Sequence, residues 1–201
     1  GPGDPDLAGG RENVVRIVKE AVRGGVSVVQ LRDKEASDEQ IEHTARELLA
    51  VLGNVPLFIN DRVEVAAKLG CHLHIGQNDM AFREARGMLS DEQLIGLSIG
   101  NHAELAAISD DARPDVIGIG PVYSTNTKKN APAGMGPDAA AALARAARER
   151  GIDSVAIGGI KDHNAHELAG SDFAGICVVS DIMAAEDPAA AAAHLKEAFH
   201  G

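Results

Sequence analysis

The stretch VSVVQLRDK, Val26 to Lys34, opens apolar and β-branched and closes on charge. An apolar run of this length bounded by polar residues reads as a strand buried on both faces, with its carboxyl end pointing at something polar. Side chains alternate along a strand, so Gln30, Arg32 and Lys34 share one face and Val29, Leu31 and Asp33 the other. A glutamine, a guanidinium and an ammonium at one strand end can receive a polyanion, Arg as a planar fork and Lys as a point charge. An exposed strand end with ordinary surface charges is the competing reading of this stretch taken alone.

The same grammar recurs along the chain. Apolar strands are predicted at PLFIND (56–61), CHLHIG (71–76), LIGLSIG (94–100), VIGIGPVY (116–123), SVAIGGI (154–160) and AGICVVS (174–180). Helical spacing fills the intervals. Val14, Val15, Val18 and Val22 mark a helix over 11–23 that ends at Gly24-Gly25. Ser37 caps a helix over about 38–52, with Ile41, Ala45, Leu48 and Leu49 on its inner face. Shorter helices are expected over 62–69, 82–89, 102–108 and 162–169, and Ala-rich helices over 138–149 and 187–199.

Strand and helix alternate with short connections, which means parallel strands with crossover helices. Polar, Gly-rich and charged residues cluster after the strands, where a TIM (β/α)8 barrel builds its active site. A doubly wound sheet would carry a Gly-rich fingerprint after its first strand, and none is present. The whole chain, 1–201, reads as one α/β barrel domain. The count is one strand short, because residues 1–10 (GPGDPDLAGG) cannot form the apolar strand that should precede the first helix. The expectation is therefore an open barrel, a swapped or oligomeric closure, or a first strand outside this sequence.

Of 201 residues, 45% are hydrophobic and 24% charged, with a formal net charge of −11. That acidity argues against nucleic-acid or anionic-membrane partners, so an anion site must be a local basic pocket. Small-molecule substrates are expected, and a homo-oligomer is compatible with the pattern. Cys71 and Cys177 sit in no ligand-spaced motif, which argues against a metal–thiolate site and for a reducing, cytoplasmic setting. No apolar run reaches transmembrane length and no signal peptide is visible.

Several strand ends carry chemistry. Asn60-Asp61 and Asp79 follow neighbouring strands, and two such carboxylates can share one Mg2+, a hard ion completed by water and phosphate oxygens. Taken singly, Asp61 reads as a helix cap and Asp79 as a turn residue. Gly158-Gly159 and Val179-Ser180 end the last two strands, where barrels often cup a phosphate with backbone N–H groups. A tight turn with positive φ would explain the glycines equally well. Thr125-Asn126-Thr127-Lys128 opens a long loop able to grip phosphate, and the loop from about 125 to 135 is expected to be mobile without ligand. Ser98 shares a strand face with Gly96 and can point inward. Packing is the expected role of His72 and His74, and no Ser/His/Asp or Cys/His set suggests a covalent nucleophile.

Taken together, QLRDK at 30–34, ND at 60–61, HIGQND at 74–79, the strand Ser98, GIGPVYSTNTK at 118–128, AIGGI at 156–160 and VVS at 178–180 resemble the thiamine phosphate synthase family. The resemblance implies a TIM barrel and an Mg2+-dependent transferase. Such an enzyme joins hydroxymethylpyrimidine diphosphate to thiazole phosphate, giving thiamine phosphate and pyrophosphate. It implies that Gln30, Leu31, Arg32, Asp33, Lys34, Asn60, Ser98 and Lys128 contact the pyrimidine diphosphate, with Arg32, Lys34, Ser98 and Lys128 at the reacting centre. Asp61 and Asp79 would hold Mg2+, and Thr125, Asn126, Thr127, Gly159, Val179 and Ser180 the thiazole phosphate. Two features depart from the family pattern: Asp4-Pro5 resembles the loop after an absent first strand, and His72 stands where Gly is usual. A thiazole tautomerase of the same fold would not need all these residues. A non-catalytic phosphate-binding regulator would need neither the metal pair nor the leaving-group cations.

Overall fold

The computed structural model describes residues 5–124, 133–160 and 163–180, with 5–11 and 180 described by backbone alone. Seven strands alternate with helices. They are β1 (Val28–Leu31), β2 (Leu57–Asn60), β3 (His72–Ile75), β4 (Ile95–Ile99), β5 (Val116–Ile119), β6 (Ser154–Ala156) and β7 (Gly175–Ser180). The helices are α1 (Pro5–Arg23), α2 (Asp38–Leu52), α3 (Val63–Leu69), α4 (Phe82–Met88), α5 (His102–Ala106) and α6 (Pro137–Glu149), with a 3-10 turn at Ala165–Leu168. The helix expected over 187–199 lies outside the described residues. Among the described residues, no helix is long and apolar enough to cross a membrane.

All seven strands are parallel and form a closed barrel in sequence order. The ring closes where β1 meets β7, pairing Val28 with Cys177, Val29 with Val178, Gln30 with Val179 and Leu31 with Ser180. The expected open edge is therefore corrected: among the described residues the seven strands close the ring by themselves. Two parted edges would leave rows of backbone N–H and C=O groups unpaired, and joining β1 to β7 pairs them.

Alternation along the strands sorts the core. Val29, Leu31, Leu57, Ile59, Leu73, Ile75, Ile95, Ile99, Ile117 and Ile119 are all buried and face outward against the helices. Removing a large aliphatic side chain from such a layer costs about 2–5 kcal/mol. The inward face is different in kind, with Gln30, Phe58, Asn60, His72, His74, Gly96, Ser98, Gly118 and Cys177 at inward positions. The apolar seal of the molecule is thus the strand–helix layer, which leaves the barrel interior free to carry polar groups.

Local signals explain the helices. Ser37 caps α2 with a full capping box: its Oγ accepts from the Gln40 N–H at 3.1 Å, and Gln40 Oε1 accepts from the Ser37 N–H at 2.8 Å. On α2, Leu49 is exposed, contrary to the inward placement expected, and Leu52 is buried instead. Leu49 lies roughly 100° round the helix from Leu48 and falls beyond the margin of the buried stripe formed by Ile41, Thr44, Ala45, Leu48 and Leu52. The first helix is described from Pro5 onward, earlier than the expected start at residue 11.

Candidate active site

The carboxyl ends of β1 to β4 converge on one polar mouth. Gln30 and Asn60 meet between β1 and β2, where the Asn60 Nδ2 donates to Gln30 Oε1 at 3.0 Å. Gln30 is buried, and its Nε2 makes no regular hydrogen bond with a described residue, although the amide lies close enough to the Cys177 thiol to act on it. A buried amide donor without an acceptor costs free energy, so this one is poised for a ligand acceptor. Arg32 and Lys34 lie past the strand end, exposed, and make no ion pair with any described residue. Asp33 points away from them. Its Oδ1 accepts from the Glu35 N–H at 3.0 Å and the Ala36 N–H at 3.2 Å, folding the loop back on itself. Leu31 is fully buried in the strand–helix layer, so its side chain does not reach the mouth.

Asp61 follows β2 with φ 63°, and it alone among the described non-glycine residues has a positive φ. Its N–H donates to the His74 carbonyl at 2.8 Å, which holds that conformation. Such backbone is sparsely populated and gathers at functional sites. Asp79 is drawn inward by the Gly76 N–H, which donates to its Oδ2 at 2.7 Å. The two carboxylates meet. Partial shielding from water first, then the charge of Asp79 and a hydrogen bond with it, push the Asp61 carboxyl up, while Arg62 and Lys34 pull it down. No group of three or more His, Cys, Asp or Glu side chains able to hold a metal occurs among the described residues. The pair is therefore the acidic centre of this mouth.

Ser98 on β4 is half-buried, and its Oγ is hydrogen-bonded to His74 Nε2 at 2.7 Å. Burial pushes His74 down to about 4, against the opposing charge of Asp79, so the ring is neutral near pH 7. The expectation of a packing role was incomplete for this residue, because the ring also engages Ser98. Sequence gave no sign of that partner, 24 residues away. His72 does pack, against the Phe58 ring at 5.1 Å, and its Nδ1 accepts from the Leu94 N–H at 2.8 Å. It sits one inward position below His74, away from Asp79.

Across the mouth, Gly158 and Gly159 have φ of 99° and 65°. They lie against the segment after β5: a Cβ on Gly159 would meet the Tyr123 carbonyl oxygen at 2.8 Å and the Ser124 carbonyl oxygen at 2.9 Å. The Tyr123 N–H donates to the Gly158 carbonyl at 3.1 Å, and Asn164 Nδ2 donates to the Gly159 carbonyl at 3.0 Å. Asn164 thus braces the glycine turn, a role that no sequence pattern flagged. Val179 is 40% exposed at the rim of β7 beside Gln30, and Ser180 pairs by backbone with Leu31. Thr125, Asn126, Thr127 and Lys128 lie outside the described residues. The far end of their loop is tied down: the Met135 N–H donates to the Pro121 carbonyl at 2.9 Å and the Gly136 N–H to the Val122 carbonyl at 2.7 Å. Gly134 lies against the Tyr123 backbone, where a Cβ would run into Tyr123 Cα. The missing side chain is what admits that close approach.

Known proteins share this arrangement of elements. A family model described as thiamine monophosphate synthase matches residues 4–182. A thiamine biosynthesis multifunctional protein of Corynebacterium efficiens is 48% identical over 204 residues, covering 98% of this chain and 28% of that protein. The chain thus spans little more than a quarter of that relative, and 27% of its Corynebacterium glutamicum counterpart. A thiamine-phosphate synthase of a Psychrobacter species is 40% identical over 185 residues, covering 90% of this chain and 85% of that one. Among solved structures, a thiamine phosphate pyrophosphorylase from Pyrococcus furiosus superposes with a TM-score of 0.67 at 29% identity, covering 92% of this chain and 88% of that one.

Proposed function

The chain belongs to the thiamine monophosphate synthase family, and from that premise we propose that it condenses 4-amino-2-methyl-5-hydroxymethylpyrimidine diphosphate with hydroxyethylthiazole phosphate. The products are thiamine phosphate and pyrophosphate. The observation that carries the reading is the meeting of the Asp61 and Asp79 carboxylates within reach of the Lys34 charge. Two oxygen-donor carboxylates, joined among the described residues by no further acidic or imidazole ligand, fit Mg2+, which keeps waters and takes phosphate oxygens as the remaining ligands. Asp61 and Asp79 would hold the ion, and when bound it would offset charge on the departing pyrophosphate.

The chain's own residues do the rest. Arg32 and Lys34 stabilise the negative charge that grows on pyrophosphate as the bond between its oxygen and the pyrimidine methylene breaks. Lys128 is assigned the same task. Gln30 and Asn60 lock each other's amides, which leaves the Gln30 Nε2–H to orient a heteroaromatic acceptor. Ser98 offers a hydroxyl whose other side is fixed by His74. Gly159, Val179, Ser180 and Thr125 to Thr127 are assigned to the thiazole phosphate. Holding that phosphate brings the thiazole nitrogen within attacking range of the methylene carbon. The nitrogen lone pair forms the new C–N bond, and the old bonding pair leaves with pyrophosphate. No proton has to be removed, so a neutral His74 bonded to Ser98 is no obstacle. The free, buried Cys71 and Cys177 fit the reducing cytoplasm in which we place the chain.

The test is pyrophosphate release with each substrate alone, with both, and with a chelator. Release one-for-one with thiamine phosphate, only with both substrates and abolished by chelation, is the expected result. Release without thiazole phosphate would make the chain a diphosphatase. Thiazole isomerisation without release would make it a tautomerase.

A further inference from the structure

Arg62 lies between the two loops that carry the cationic and the acidic halves of the site, and it bonds to one while sitting in the other. It immediately follows Asp61 and is itself mostly buried. Its Nη2 donates to the Asp33 carbonyl at 2.9 Å and to the Ala36 carbonyl at 2.6 Å, and its Nη1 donates to Asp38 Oδ1 at 2.6 Å. Two of the three bonds from this planar fork fall on the β1–α2 loop on which Arg32 and Lys34 stand, and the third reaches the first residue of α2. The opposite end of Arg62 is just as constrained: its N–H donates to the Asn60 carbonyl at 2.7 Å, and the Val63 N–H donates to the Asp61 carbonyl at 2.8 Å. The Asp33 carboxylate closes the same loop from within. Nothing else among the described side chains bonds the β1–α2 loop to the β2–α3 loop. Lys34 is nevertheless near enough for its charge to act on Asp61.

We infer that Arg62 is a positioning residue for the diphosphate half of the site, a guanidinium clamp that holds the Arg32–Lys34 loop in register with Asp61. The argument is geometric. Two backbone carbonyls at different points of a loop can be bound together only by a donor with a fixed fork. A guanidinium has that fork, whereas an ammonium is a single point of attachment. Charge donors stabilise a developing anion only when their positions are set beforehand. Long exposed side chains such as Arg32 and Lys34 inherit their placement from the loop beneath them. The bond to Asp38 is the dispensable arm, because an ion pair with an exposed carboxylate contributes little.

This inference rests on the synthase reading, and the experiment separates the two. KM for the pyrimidine diphosphate and for the thiazole phosphate, together with Tm, are measured for wild type, Arg62→Met, Arg62→Lys and Asp38→Asn. Wild type that fails to condense the two substrates overturns the synthase reading, and the inference with it. With wild type active, the expected result is a rise of about 10- to 100-fold in the diphosphate KM for Arg62→Met, the range for losing a bonded supporting residue. The thiazole phosphate KM should move by less than about twofold, and so should both constants of Asp38→Asn. Arg62→Lys keeps the charge and loses the fork, so it should resemble Arg62→Met; this variant carries the test if the methionine protein does not fold. A lowered Tm with an unchanged diphosphate KM, equal rises in both KM values, or full rescue by lysine would overturn the clamp.

Discussion

His74 Nε2 and Ser98 Oγ lie 2.7 Å apart inside the barrel, and two glycines on neighbouring strands make room for the imidazole. A Cβ on Gly96 would stand 2.8 Å from His74 Nδ1, and one on Gly118 would stand 3.0 Å from His74 Cε1. The ring is therefore held from β3, walled by β4 and β5, and tied to a hydroxyl at the site.

Gly96→Ala tests that wall. The added methyl would also meet Val116 Cγ1 at 3.3 Å, so the ring must shift. Overpacking of this kind costs about 1–3 kcal/mol. We expect a lower urea midpoint and a weakened Ser98 contribution to turnover, read from unfolding curves and from kcat beside Ser98→Ala.

The buried His74 makes stability pH-dependent. Its folded value of about 4 lies below the ordinary 6.5, so the unfolded chain binds the proton more readily. Stability is unaffected above the unfolded value and is lost as pH falls from 6.5 towards 4. The full loss is roughly 3 kcal/mol, of which about 2 is gone by pH 5. Urea unfolding at pH 7 and pH 5 should show this drop in wild type, and a smaller one in His74→Gln.

Arg32→Ala and Lys34→Ala should each cost roughly 2–4 kcal/mol in transition-state stabilisation with little change in Tm. Leu31→Ala, from the same strand, should do the reverse through stability, by about 2–5 kcal/mol. Paired kcat/KM and unfolding measurements check the contrast. Wild-type turnover in both cation variants would remove the leaving-group role of this strand.

Asp61→Gly should melt no lower than wild type, because glycine accepts φ 63° freely and the replacement removes like charge beside Asp79. Turnover should nevertheless collapse. Asp61→Asn and Asp79→Asn should lower turnover far more than affinity for the thiazole phosphate, measured by calorimetry. Equal losses in both would place the two phosphates in one shared site.

The amino-acid sequence by itself determined the local order of this protein. Short apolar runs bounded by polar residues marked each strand, a period of 3.6 marked the helices, and Ser37 with Gln40 set the start of α2. Polar residues placed just after apolar runs located Gln30, Asn60, Asp61, Asp79 and Ser98 at strand ends. Those signals are legible because each depends on neighbours within a few residues.

Tertiary structure decided what depends on distant segments meeting. Only the pairing of β1 with β7 shows that seven strands close the ring. The facing of Leu49, the φ of Asp61, the His74–Ser98 bond and the reach of Arg62 to Asp33 and Ala36 are likewise invisible in local pattern. Hydrophobic period says that a residue is inside or outside a sheet. Which partner it finds there is set by strand register, and register is fixed by the closed barrel as a whole.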